Sequence, residues 1–163
     1  MELERYSKLL NYEPLTGKIY VKKSKRLLVA DDTGAVTFVD PDTKERVKIR
    51  LDKLAYILAN NKLPPPKWKI HHKNLDVSDN RIYNLMCLSP DQSRLVNEAR
   101  KNLSGGIKIS LHPTDMFSYK LSWFEGGKER SKVIEDIVVV KRLERELILK
   151  YSKILTVYCF GLE

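Results

Sequence analysis

"KIHHKNLDVSDNRIYNLMCLSPDQSRLVNEARKN" occupies residues 69–102. Two histidines stand side by side in a short alternating run, a polar stretch follows, and a second apolar run contains an Asn. The chain has only three histidines, His71, His72 and His112, so the adjacent pair is the first feature to explain. "WKIHHK" reads as a strand and "IYNLMCL" as its partner, with "NLDVSDNR" as an unusually long connection. "SPDQSR" carries the signals of a helix start. Ser89 can cap it, Pro90 suits the first helical position, Asp91 complements the helix dipole and Gln92 completes a capping box. Residues 67–102 are therefore expected to form a β-β-α unit.

Working outward, "LDKLAYILANNKLP" (51–64) changes to helical period at Leu54, Ile57 and Leu58. The Asn pair can end that helix and the three prolines from Pro64 to Pro66 forbid its continuation. Residues 1–50 read as short strands and turns, from "NYEPLTGKIYVKK", "GAVTFVD" and "ERVKIRL", with further turns at Gly34 and at "DPDT". The basic run "KKSKR" (22–26) is open to two readings, a phosphate contact or a solvated hairpin loop. On the other side, "LSGG" (103–106) has little to pack and is expected to separate two domains, 1–102 and 104–163. In the second, "IKISLHP", "FSYKLSWFE" and "ERSKVIE" alternate as three strands, with a hairpin turn at "EGGK". Val140, Leu143, Leu147, Tyr151 and Ile154 then mark one face of a long helix from Glu135 to about Leu155. The fold class is α+β: a small β-rich N-terminal region, the β-β-α unit, and a module of three strands and a helix.

With 42% hydrophobic and 9% aromatic residues, a packed core is expected rather than disorder. Thirty Lys and Arg oppose 21 Asp and Glu, a net charge of +9, and that field attracts polyanions, nucleic acid first among them. No apolar run reaches membrane-spanning length and "MELERYSKLL" lacks a signal-peptide pattern, so a cytoplasmic protein without membrane association is expected. Cys87 and Cys159 have no metal-spaced partners. They read as small buried residues in a reducing compartment, with a disulfide as the alternative.

His71-His72-Lys73-Asn74, then Asp79-Asn80-Arg81, then Asn84-Leu85, on a strand, loop, strand and helix, resemble the HNH (ββα-metal) homing endonucleases of phages. Their pattern is Asp-His-x-Asn, a loop, Asp-Asn-Arg, and Asn-Leu. "LNYEPLTGKIYVKK" and "LDKLAYILANNKLPP" are similar to the segments that precede the motif in those enzymes, so the resemblance spans about residues 9–102. The module from 104 onward is similar in pattern to Apetala-type and integrase-arm DNA-binding domains, which such enzymes carry in fusion.

The resemblance implies a DNA endonuclease dependent on one divalent metal ion, Mg2+, Mn2+ or Ni2+, in the cytoplasm of an infected host. Phosphodiester hydrolysis needs a deprotonated water and stabilisation of the developing charge. His72 matches the general base, and an imidazole suits that task near neutral pH. His71 stands where the family has a metal-ligating Asp. Since neighbours on a strand face opposite ways, the two histidines need a twist or bulge to serve one site. Asn84 is expected to brace the loop and orient His72. Ser93, with Gln92 beside it, stands where the family has its second ligand, Asn or His. Asp52 and Lys53 replace a His-Arg pair. A His for Asp removes a hard oxygen donor, so weak activity with Mg2+ and better activity with Mn2+ or Ni2+ are expected. Arg81 can reach a phosphate or a carboxylate. Lys108, Lys120, Lys128 and Arg130 are the expected contacts of the module with double-stranded DNA. The alternative is a degenerate HNH fold that binds DNA, or a host protein, without cutting.

Overall fold

A computed structural model describes residues 2–40 and 43–160 of the chain. Pro41 and Asp42 of the expected "DPDT" turn lie outside the described residues. The chain packs as two compact units, one ending at Pro90 and the other beginning at Asp91.

The first unit opens with a helix, α1 (Glu2–Leu9), which the reading of residues 1–50 as strands and turns did not contain. Tyr6 of the helix and Leu10 just beyond its end enter the core, with Leu3 and Leu9 packed against it. Arg5 ties the helix to Asp40. Next come two hairpins. Strands β1 (Leu10–Glu13) and β2 (Lys18–Val21) are joined by a turn ending at Gly17, and β3 (Ala35–Val39) pairs with β4 (Arg46–Arg50). Alternation decides their sidedness: in β3, Val36 and Phe38 go inward while Thr37 and Val39 face out. The basic run 22–26 forms a tight turn in which the Lys22 ammonium donates to the Ser7 carbonyl.

Helix α2 (Leu51–Asn60) buries Leu54, Ala55 and Ile57 against this core. It ends as expected, with Asn61 in the left-handed conformation at φ 46° before the prolines. Strand β5 (Lys69–His72) pairs antiparallel with β6 (Leu85–Leu88). Ile70 of β5 packs on the core, and Leu85 of β6 belongs to it. The second strand is shorter than the apolar run suggested, because residues Ile82–Asn84 turn as one 3-10 helix before it.

Helix α3 (Pro90–Lys101) starts at the expected proline. The expected boundary at 103–106 is not a loose linker. The Asn102 amide donates to the Phe124 carbonyl at 2.8 Å and accepts from its N–H at 2.9 Å. Gly106 approaches so closely that a Cβ there would lie 2.5 Å from the Lys101 carbonyl oxygen. These contacts fasten the end of α3 to a three-stranded sheet of β7 (Lys108–His112), β8 (Asp115–Glu125) and β9 (Lys128–Ile134), ordered β7-β8-β9. Gly126 and Gly127 both take positive φ in the β8–β9 turn, as a two-residue hairpin of this hand requires. Helix α4 (Ile137–Leu155) is capped by Asp136, whose carboxylate accepts from the Val138 N–H. It buries Val140 and Tyr151, and the Tyr151 hydroxyl donates to the Phe124 carbonyl. Among the described residues, no helix is long and apolar enough to cross a membrane.

Candidate active site

The loop between β5 and β6 is a lattice of side-chain hydrogen bonds. Its short polar residues favour this, since Asn, Asp and Ser side chains bond nearby backbone in place of regular structure. Asp76 accepts from the Ser78 N–H and hydroxyl, and Asn74 accepts from the Asp76 N–H. Asp79 is held by Arg81 through two bonds, 2.6 Å from Nε and 2.5 Å from the guanidinium terminus, and also by the Asn74 amide. The Arg81 guanidinium brings the Asp79 carboxyl down to about 2. Arg81 is thus paired with a carboxylate, and it lies over the Tyr83 ring at 4.8 Å.

Asn84, 3% exposed, closes the loop at its base. Its carbonyl oxygen accepts from the Asn74 N–H at 3.0 Å and its NH2 donates to the Asp79 carbonyl at 2.8 Å. The bracing expected of Asn84 is therefore present, but the amide that bonds His72 is a different one. His72 Nε2 lies 3.1 Å from Asn80 Oδ1, with His72 5% and Asn80 4% exposed. The Asn80 NH2 in turn reaches the Ser78 carbonyl at 3.3 Å, and its backbone carbonyl accepts from the Tyr12 hydroxyl of β1 at 2.9 Å. Burial pushes the Tyr12 phenol up to about 12. Asn80 was legible in the sequence as part of Asp-Asn-Arg, though only as a loop residue. Nothing in the order of residues placed Tyr12 against it.

The bulge that would bring the two histidines to one side is not there. His71 pairs with Met86 and His72 with Leu85 in unbroken register, so the side chains leave opposite faces of the hairpin. His72 shares the face of Ile70 and is buried, while His71 is half-buried on the other. Gln92 and Ser93 lie on the first turn of α3, with Ser93 buried and Gln92 half-buried. Asp52, where the family has His, is buried in an ion pair with Arg50 at 2.7 Å.

These residues do not fit a resident divalent ion. Among the described residues, no three His, Cys, Asp or Glu side chains are grouped so that they could hold a metal. The loop carboxylates are already engaged, Asp79 by Arg81 and Asp76 by Ser78. A neutral hydroxyl and a neutral amide at positions 93 and 92 add no charge to attract a hard cation.

The four basic residues expected to contact DNA from the second unit do not share a face. By register, Lys108 lies opposite Ser122, two residues from Lys120, on one side of the sheet. Lys128 and Arg130 lie opposite Glu125 and Trp123 on the other side, the side of buried Leu121.

Residues 52–95, from the first turn of α2 through the β5–β6 hairpin to the first turns of α3, match the family described as HNH endonuclease. No curated protein and no solved structure matches the chain. The matched segment contains His71, His72, the loop lattice, Asn84, Gln92 and Ser93, and it supports reading the chain as an HNH nuclease with a nucleic acid substrate.

Proposed function

We propose that the chain is an endonuclease of the phage homing type that hydrolyses phosphodiester bonds in double-stranded DNA, with His72 as the base. The observation that carries this reading is a buried imidazole, held by an amide on a braced loop, at the centre of the family match. In the reaction a water oxygen attacks phosphorus, the bond to the leaving 3′ oxygen breaks, and His72 receives the water proton. Holding the imidazole in one orientation is worth several kcal/mol in such a step, since about 7–11 kcal/mol of a barrier can come from prepaid positioning. Asn84 acts on the loop, and Arg81 acts through Asp79. The module formed by residues 104–163 supplies affinity for the substrate, and its work belongs to the host cytoplasm.

HNH nucleases generally use a divalent metal. The neutral groups at Gln92 and Ser93 favour a second reading, in which the fold binds DNA or a host protein and no longer cuts. A supercoiled-plasmid assay separates the two, run with Mg2+, Mn2+, Ni2+ or a chelator, on wild type and His72→Ala. The nuclease reading expects nicked product from wild type that falls at least a hundredfold in His72→Ala, within the range of a lost general base of about 10²–10⁴. Retardation of the plasmid by both proteins with no cutting under any ion selects the binding scaffold.

A further inference from the structure

The basic run 22–26 turns beside a cavity of about 410 Å3 that also meets the end of α1 and the end of β3. The cavity is built into the backbone. The Lys22 N–H donates to the Leu9 carbonyl at 2.8 Å, the Val21 N–H donates to the Arg26 carbonyl at 2.9 Å, and the Lys22 ammonium holds the Ser7 carbonyl. Leu9, Val21, Phe38 and Val39 supply an apolar lining, while the polar lining is cationic, from Lys8, Lys22, Lys23 and Arg26, all exposed. No Asp or Glu among the described residues lines it. Among those residues, too, no hydrogen bond or ion pair engages the side chain of Lys23 or Arg26. Four like charges repel one another if they close over the apolar lining, so it stays open to an anionic occupant.

The lining selects among anions. Duplex DNA presents phosphates and polar groove edges, which would use the cations and leave the apolar groups unmatched. A single strand gains its affinity by stacking bases on ring faces, and Phe38, the one aromatic residue of the lining, is 3% exposed and offers none. A second copy of this chain brings its own charge of +9. What fits is carboxylates together with a bulky apolar side chain, the pairing found in acidic protein segments that anchor in a groove.

We infer that this cavity is a docking site for an acidic segment of a partner protein, which inserts one bulky apolar side chain against Leu9, Val21 and Val39 and sets its carboxylates against Lys23 and Arg26. It goes beyond the nuclease reading and does not depend on it. The pair Leu10–Val21 at the cavity and the pair Glu13–Lys18 are the first and last of the four in the β1–β2 hairpin, and it is the turn beyond the last, at Gly17, that abuts Asn80.

The test uses the full-length protein and a fluorescein-labelled peptide, Asp-Glu-Glu-Leu-Phe-Asp-Glu-Asp, followed by anisotropy and by 15N–1H NMR. Binding is expected, with amide shifts confined to residues 8–10, 21–26 and 38–39. Replacing Leu-Phe by Ser-Ser, or the acids by their amides, should each weaken it by about tenfold or more, as loss of an anchor does. Lys23→Glu with Arg26→Glu should weaken it as much, and Val39→Ser, a milder change at an exposed position, should weaken it severalfold and serves if the double variant does not fold. Equal binding of the Ser-Ser peptide would reduce the effect to net charge and overturn the proposal. So would shifts elsewhere in the chain, indifference to both variants, no binding at millimolar peptide, or a short DNA duplex that shifts the same residues as strongly.

Discussion

Asn84 and Asp79 do separate jobs that individual substitutions distinguish. Asn84 satisfies one backbone N–H and one carbonyl that the loop would otherwise leave unpaired. Asn84→Ala is expected to cost about 1–3 kcal/mol of stability, read as a lower urea midpoint with an unchanged slope. The Asp79 carboxyl is shifted from 3.8 to about 2, first of all by its hydrogen bonds from Arg81. As pH falls, the unfolded chain takes up that proton before the folded one. The stabilisation from the pair is therefore complete above about pH 4 and is lost as pH falls through about 2. Asp79→Asn should flatten the part of the stability–pH curve that lies between those values, seen in urea melts at a series of acid pH values. A steep wild-type-like fall in that variant would assign the acid sensitivity to other carboxylates. His72, Asn84 and Asp79 were all legible in the sequence because the motif spacing singles them out. The partner of His72 was not, because an Asn in a polar loop has many local acceptors and donors within reach and only the folded backbone selects among them.

The elements that could be read were those whose period or punctuation is strong. Helix α2 shows its apolar stripe and ends at Asn61 ahead of three prolines. Strands β7 to β9 show alternation and a Gly-Gly turn. Helix α1 was missed because eight residues carry only two turns of period, and it is held by Arg5 and by packing of Tyr6 on Phe38 rather than by its own propensity. The start of β6 was misjudged because Ile82 and Tyr83 look like strand residues, while the Asn84 cross-links draw them into a turn. At this scale Gly17 is the sensitive point. Gly17→Ala combines a positive φ with a close approach of 2.7 Å to the backbone of the loop. It should destabilise the first unit by about 1–3 kcal/mol, visible as a lower melting temperature. Gly126→Ala, also at positive φ but with open space around its Cβ, should cost less.

For the whole molecule the charge of +9 was the clearest global signal, and it names a polyanion without naming the face that meets it. The alternation of β7–β9 divides the candidate cations into two sets, and Lys108 and Lys120 share their side with Ser110, Ser122 and Ser131. That side, which also carries Phe124 and Val133, is the expected DNA contact. Affinity for duplex DNA should fall with salt at a log–log slope of about −3 or steeper, measured by fluorescence anisotropy. Lys108→Ala with Lys120→Ala should make the slope shallower by about 2, and Lys128→Ala with Arg130→Ala should change it less. The reverse order would move the contact to the other side of the sheet.

The most direct measurement concerns the attacking water itself. A duplex oligonucleotide cleaved in 18O-enriched water by wild type should carry one 18O atom on the new terminal phosphate, and His72→Ala should yield no product above background over the same period. An unlabelled phosphate would mean that water does not attack phosphorus and that a C–O bond of the sugar breaks instead. Labelled product formed as fast by His72→Ala would mean that another base activates the water, and either result contradicts the role given to His72.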